Sequence, residues 1–238
     1  MKQNNTQRYI DILKHTLLFK DINVDLADKI LKEFTYTTIK KGKHLEPDIG
    51  IKFLHIILDG RLKITKIDPK TGRSITLFIL HTGDIHDIFT LLDGEEHIVF
   101  PIALDDISAL SIPIIKAREI IKNYPEFNKN FLPYLGKMLR ELEDFSESLV
   151  FDDTTTRLSK LILKHIDNTD AEKNDHYPLK LINNLSHESL AELIGSVRSV
   201  VSIQLEKLKK EEIIISKRGY LAVKNLKKLI KKCDIFEE

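Results

Sequence analysis

Residues 185–208 read LSHESLAELIGSVRSVVSIQLEKL. Ser186 is a strong N-cap for a short helix carrying Leu190, Ala191, Leu193 and Ile194. Gly195 ends that helix, and a second begins at once with Val197, Val201, Leu205 and Leu208 on one face. Ala191, Gly195 and Val201 stand at the spacing of a helix-turn-helix. Ala191 is small enough for the second helix to approach. Gly195 permits the tight turn, and Val201 packs the second helix back on the first. Arg198, Ser199, Ser202 and Glu206 are then left pointing outward, as on a helix that reads the major groove of DNA. An ordinary packed helical hairpin has the same pattern, so spacing alone leaves both readings open.

The residues that follow add weight to the first reading. Ile213–Ile215 and Tyr220–Val223 flank Ser216-Lys217-Arg218-Gly219, a hairpin with a basic tip that can touch phosphates. From Ser196 to Lys232 there are eleven basic and three acidic residues, an excess of +8. The chain as a whole carries only +1, so the charge is concentrated where a polyanion would bind. A lysine-rich solvated surface would look similar without the helix-turn-helix beside it.

Towards the N-terminus the pattern changes twice. Tyr9 to Leu18 and Val24 to Phe34 read as short amphipathic helices. Short apolar or alternating runs follow at Phe53–Leu58, Leu62–Ile67, Ile75–Leu80, Ile98–Leu104 and Ile107–Ile112, separated by Asp59-Gly60, Asp68–Gly72 and Gly83-Asp84. Strands at intervals of about ten residues predict a jelly-roll or barrel. Lys116 to Asn123 then reads as a helix. A long helix runs from about Glu126 to Val150, with Pro133 near its start as a source of a kink or a later beginning. Its apolar residues Phe131, Leu135, Met138, Leu142, Phe145 and Leu149 step by four and three, a heptad seam that predicts a parallel dimer. Thr155 to Ile166 is helical, 167–178 is a polar loop, and Leu179–Ile182 reads as a strand.

Composition excludes several classes. At 238 residues with 42% hydrophobic content, the chain is long enough for a sizeable core. The single cysteine, Cys233, excludes an internal disulfide and a four-thiolate cluster and fits a reducing compartment. The opening MKQNNTQRYIDILKH lacks an apolar leader segment, and no run of about 18 apolar residues occurs. A cytoplasmic protein without a membrane partner is therefore expected. No nucleophile–base constellation or phosphate-cradling glycine loop is visible, so no catalytic residue is assigned and no enzyme activity is expected. His81, His86 and His97 could converge inside a barrel, but closely paired histidines within one strand are missing. No metal, heme or other cofactor is predicted.

The order of these pieces resembles the cyclic-AMP receptor protein/FNR (CRP/FNR) family of bacterial transcription regulators, over nearly the whole chain from about Leu18 to Leu229. Leu18-Phe19, Lys41-Gly42, Asp59-Gly60-Arg61-Leu62-Lys63-Ile64, Thr82-Gly83-Asp84-Ile85 and the stretch from Leu149 to Leu158 carry the resemblance together with the helix-turn-helix. It implies an α+β chain with an N-terminal jelly-roll β-barrel sensor (1–115), a short helix and a long dimerisation helix (116–151), and a C-terminal winged helix-turn-helix (152–238). It implies a homodimer on double-stranded DNA at a near-palindromic operator, with RNA polymerase as a further partner. Ser186, His187, Arg198, Ser199, Ser202, Ile203, Lys207, Lys217 and Arg218 are the implied DNA contacts. Gly83, Asp84, Glu96, His97 and Ile98 are the implied effector pocket.

Two departures qualify this. Nucleotide-binding members carry an Arg-Ser pair that clamps the cyclic phosphate, whereas Glu95-Glu96-His97-Ile98 falls at that place here. Two carboxylates cannot do the work of a bidentate cation, so cyclic AMP is not expected in the usual mode and the effector is unknown. Where many members present Glu and Arg to the bases, this chain has Ser199 and Ile203. Its operator is therefore not assumed to be the common one. A regulator without a small-molecule effector, a cyclic-nucleotide-responsive regulator and a cupin-like metalloprotein with an interaction domain are the alternatives.

Overall fold

The computed structural model describes residues 2–45, 52–167 and 176–233. In chain order the elements are α1 (Lys2–Leu13), α2 (Val24–Leu31), β1 (Thr35–Ile39), β2 (Phe53–Asp59), β3 (Leu62–Ile67), β4 (Ser74–Leu80) and β5 (Ile85–His86). Then come α3 (Ile88–Asp93), β6 (Phe100–Ala103), β7 (Ile107–Pro113), α4 (Ile114–Asn123) and α5 (Pro125–Phe151). The C-terminal part holds α6 (Thr154–Lys164), β8 (Tyr177–Pro178), α7 (His187–Leu193), α8 (Arg198–Lys210), β9 (Ile214–Lys217), β10 (Tyr220–Val223) and α9 (Leu226–Lys232). Two compact units result. One is Met1–Asp68 with Leu77–Glu141, and the other is Pro69–Thr76 with Leu142–Glu238.

The first unit is built on sheets ordered β1-β7-β2-β5 and β4-β3-β6. The pairs β1–β7, β2–β7, β2–β5 and β3–β6 are antiparallel. Neighbours distant in sequence, such as β1 beside β7, are the crossovers of a jelly-roll. Strand alternation sets the two faces of β2. Leu54 and Ile56 join Ile85, Phe127 and Phe131 around a small apolar cavity, while His55 turns the other way and pairs with His86. Phe127, Phe131, Tyr134 and Met138 of α5 are buried in this unit, and Phe19 meets Phe127 edge-on with centroids 5.9 Å apart.

The second unit has its core around Leu158, Ile162, Ile182, Val201, Leu208 and Leu229. Asp153 caps α6 by accepting from the Thr156 N–H at 2.8 Å. The wing is the three-stranded sheet β8-β10-β9.

Several expected boundaries move. The first helix ends at Leu13 rather than Leu18, and turns carry the chain to α2, which stops at Leu31. Leu179–Ile182 is no strand; pairing there is limited to β8 and an isolated Ile166–Leu179 bridge. Residues 168–175 of the expected polar loop lie outside the described residues. Pro133 does not delay the long helix, which starts eight residues earlier at Pro125, where a proline suits the first turn. The sequence does not signal β1, the short β5, α3 or α9.

Candidate nucleic-acid interface

Ser186 caps α7 as its sequence suggests. Its Oγ accepts from the Ser189 N–H and donates to the Ser189 Oγ, each at 3.1 Å. Leu190 and Ala191 are buried beneath the first helix. Gly195 sits at φ +59°, and a Cβ there would lie 2.6 Å from Leu149 Cδ2. Both the left-handed backbone and the close approach therefore demand glycine. The Ser196 N–H returns to the Ala191 carbonyl at 2.9 Å, closing the turn. Val201, Leu205 and Leu208 then bury the inner face of α8. Thr155 Oγ1 donates to the Gln204 side-chain oxygen at 2.9 Å, tying α8 to α6.

The outer face of α8 remains open. Arg198 and Ser199 are exposed, and Ile203 is 66% exposed, so it faces outward. Ser202 is half-buried. Its Oγ donates to the Arg198 carbonyl at 2.9 Å and lies 2.8 Å from Nδ1 of His187. Past the helix, Lys217 pairs with Tyr220 across the wing, and Arg218-Gly219 forms the tip with Gly219 at φ +71°. The three acids of this basic stretch are all engaged: Glu206 with Lys209 at 3.7 Å, Glu211 with Lys232 and Glu212 with Lys224, both at 2.8 Å. Arg198, Lys207, Lys217 and Arg218 make no ion pair among the described residues, which leaves their charge for a partner.

The residues implied as an effector pocket have differing surroundings. Gly83 (φ +89°) leaves no room for a Cβ against Thr16. Asp84 turns back on its own loop, accepting from the His81 N–H at 2.9 Å, and burial pushes its carboxyl up. The next residue, Ile85, donates its N–H to Tyr134 Oη of α5 at 2.9 Å. Burial pushes the Tyr134 hydroxyl far up, so it stays protonated. Glu96 is exposed and Ile98 is 70% exposed, while the His97 ring lies 4.7 Å from Phe89 and burial lowers its pKa. Of the expected histidines, His86 and His97 lie close enough to act on one another, and His55, not expected, joins them with its ring centroid 5.9 Å from that of His86. Nδ1 of His55 and both ring nitrogens of His86 are shut off from solvent without a partner among the described residues. Burial lowers His55 to about 4 and His86 to about 3. The alternation of β2 was the signal that could have found this pair. No group of three or more His, Cys, Asp or Glu among the described residues could hold a metal ion.

The long helix corrects the expected seam. Phe131 (3% exposed) and Met138 (9%) are buried within the single chain, so they do not offer themselves to a partner. Leu132 and Leu139, each 65% exposed, stand one position further on. With the partly exposed Leu135 and Leu142 they form an outward row in steps of three, four and three. Phe145 and Leu149 are also partly exposed.

Residues 156–232 match the Crp-like helix-turn-helix domain. The global nitrogen regulator of Nostoc sp. is 26% identical over 163 residues, 68% of this chain and 72% of that protein. A CRP-like cAMP-activated global transcriptional regulator of Mycobacterium tuberculosis is 24% identical over 194 residues, 81% and 85% of the two chains. The chain is thus similar to CRP/FNR regulators over most of its length, and residues 156–232 match their helix-turn-helix domain. A CooA mutant from Carboxydothermus hydrogenoformans shares the fold, with a TM-score of 0.72 at 24% identity over 93% of this chain and 95% of that one. The matched domain and these relatives support a CRP-like DNA-binding transcription regulator. The α+β order of sheet domain, long helix and helix-turn-helix is the family's own. Among the described residues no helix is long and apolar enough to cross a membrane.

Proposed function

We propose that this CRP/FNR regulator acts as a homodimer whose two copies of α8 enter successive major grooves of a near-palindromic operator, about one helical turn apart. The observation that carries the reading is the outer row of α8, where Arg198, Ser199 and Ile203 stand exposed on a helix whose other face is fully packed. Arg198 can be bidentate to guanine, and Ile203 can meet a thymine methyl. Lys207, Lys209, Lys217 and Arg218, with the α7 start at Ser186, supply phosphate contacts that weaken as salt rises. The exposed leucine row of α5 fits a second copy of the same helix, because a seam that narrow is buried best by a helix beside it. Immunoprecipitation of the chain from its own cells, with sequencing of the bound DNA, tests this. Fragments sharing an inverted repeat are expected; recovery of unrelated fragments contradicts it.

The sheet domain is the sensor in this reading, with an effector other than cyclic AMP in the usual mode. Glu95 and Glu96 bring negative charge where a phosphate clamp would be needed. Arg118 is already engaged, donating to the Leu91 and Thr90 carbonyls at 2.8 Å each. A cyclic-AMP response, stated in the name of the M. tuberculosis relative, is the competing reading. Calorimetry with cyclic AMP separates them: no binding heat is expected here.

A further inference from the structure

We propose that His187 is a base-reading residue whose Nε2 accepts a hydrogen bond from an exocyclic amino group of adenine or cytosine, with Ser202 as its positioning residue. The inference rests on α8 entering the major groove as proposed above. It follows from counting protons. A serine hydroxyl has one proton to give. Ser202 gives it to the Arg198 carbonyl at 2.9 Å, the back-bond to residue i−4 that serine makes within helices. The same Oγ lies 2.8 Å from His187 Nδ1, and both contacts are satisfied together when the imidazole donates in the second. A neutral imidazole has one N–H. With it on Nδ1, the Nε2 across the ring carries a bare lone pair.

That lone pair selects its partner. Phosphate oxygens are acceptors, and a bare Nε2 is repelled by them. Among base edges in the major groove, the donors are the amino groups of adenine N6 and cytosine N4. His187 begins α7, yet its partly exposed ring is held against the second turn of α8 by the Ser202 contact. Its base is firm, because the Ser186 cap is closed on Ser189. The ring is therefore pre-oriented before DNA arrives, which lowers the ordering cost of the contact. By the same count Ser202 has no proton left to donate to a base, which leaves it the positioning role.

Selection of binding sites from randomised duplex DNA tests this with the full chain as wild type, His187→Ala, Ser202→Ala and the double variant. The wild type is expected to prefer adenine or cytosine at one position of each half-site by roughly two- to tenfold, the range of one hydrogen bond. His187→Ala abolishes that preference and leaves the other positions unchanged. Ser202→Ala weakens it, and the double variant loses no more than His187→Ala. Retention of the other positions is the folding control. Should His187→Ala fold poorly, Ser202→Ala carries the test, since it keeps the imidazole and removes only its Nδ1 partner. A uniform loss of affinity in His187→Ala means a phosphate contact and overturns the inference. So does an unchanged preference, or one lost in Ser202→Ala alone. A wild type that enriches no sequence overturns the underlying reading of α8 as well, and is distinguishable on that ground.

Discussion

Arg198 opens α8 with its side chain exposed and no ion pair among the described residues, the state a groove-reading arginine needs before it meets guanine. Arg198→Ala is expected to relax discrimination at one guanine of each half-site by about 1–3 kcal/mol; competition binding with single-base operator variants measures it, and an equal loss on every sequence would mean a backbone role. His86 carries a different prediction. Its folded pKa of about 3 lies below the ordinary histidine value of 6.5, so the fold favours the neutral ring. As pH falls below 6.5 the unfolded chain takes up a proton that the folded chain does not, and stability drops until about pH 3. At pH 5 this costs about 2 kcal/mol, and His55 acts in the same sense. Melting curves from pH 7.5 to 5 are expected to flatten in His86→Phe; an equally steep fall in that variant would contradict the burial argument. At this scale the sequence was readable where one residue type has one job, as at Ser186 and Gly195. It was less readable where a side chain could turn either way: Glu96 and Ile98 face solvent, and His55 joins His86 and His97.

Among the elements, α7, α8 and the wing were legible because capping, glycine and alternation agree within a few residues. The long helix was legible in extent but not in orientation. Its apolar residues serve two faces at once, and both obey steps of three and four. Periodicity alone cannot say which row packs on the helix's own chain and which is left over. The structure assigns Phe131 and Met138 to the inner row and exposes Leu132 and Leu139. Two variants separate the rows. Leu139→Glu is expected to dissociate the proposed dimer while leaving the melting temperature of the monomer near that of the wild type. Phe131→Ala is expected to cost about 3–5 kcal/mol of stability with little direct effect on association. Sedimentation velocity and thermal melts read both, and a Leu139→Glu protein that stays dimeric would remove the leucine row from the interface. The short β5 and α3 had no periodic signal to find, since two and six residues are too few.

For the whole molecule, the order of sheet domain, long helix and winged helix-turn-helix was the most readable feature, because each part has its own hydrophobic period. What the order does not carry is the identity of the effector, which depends on side chains brought together from separate strands. The proposed two-fold symmetry, in contrast, has a direct consequence: a near-palindromic operator would hold two chains. Light scattering of the chain of 27.5 kDa on the inverted-repeat duplex recovered from its own cells measures that number. The expected protein mass is twice that of one chain per duplex, falling to a weakly held complex when one half-site is scrambled. A single chain per intact duplex, bound as tightly with one half-site as with two, would contradict the account.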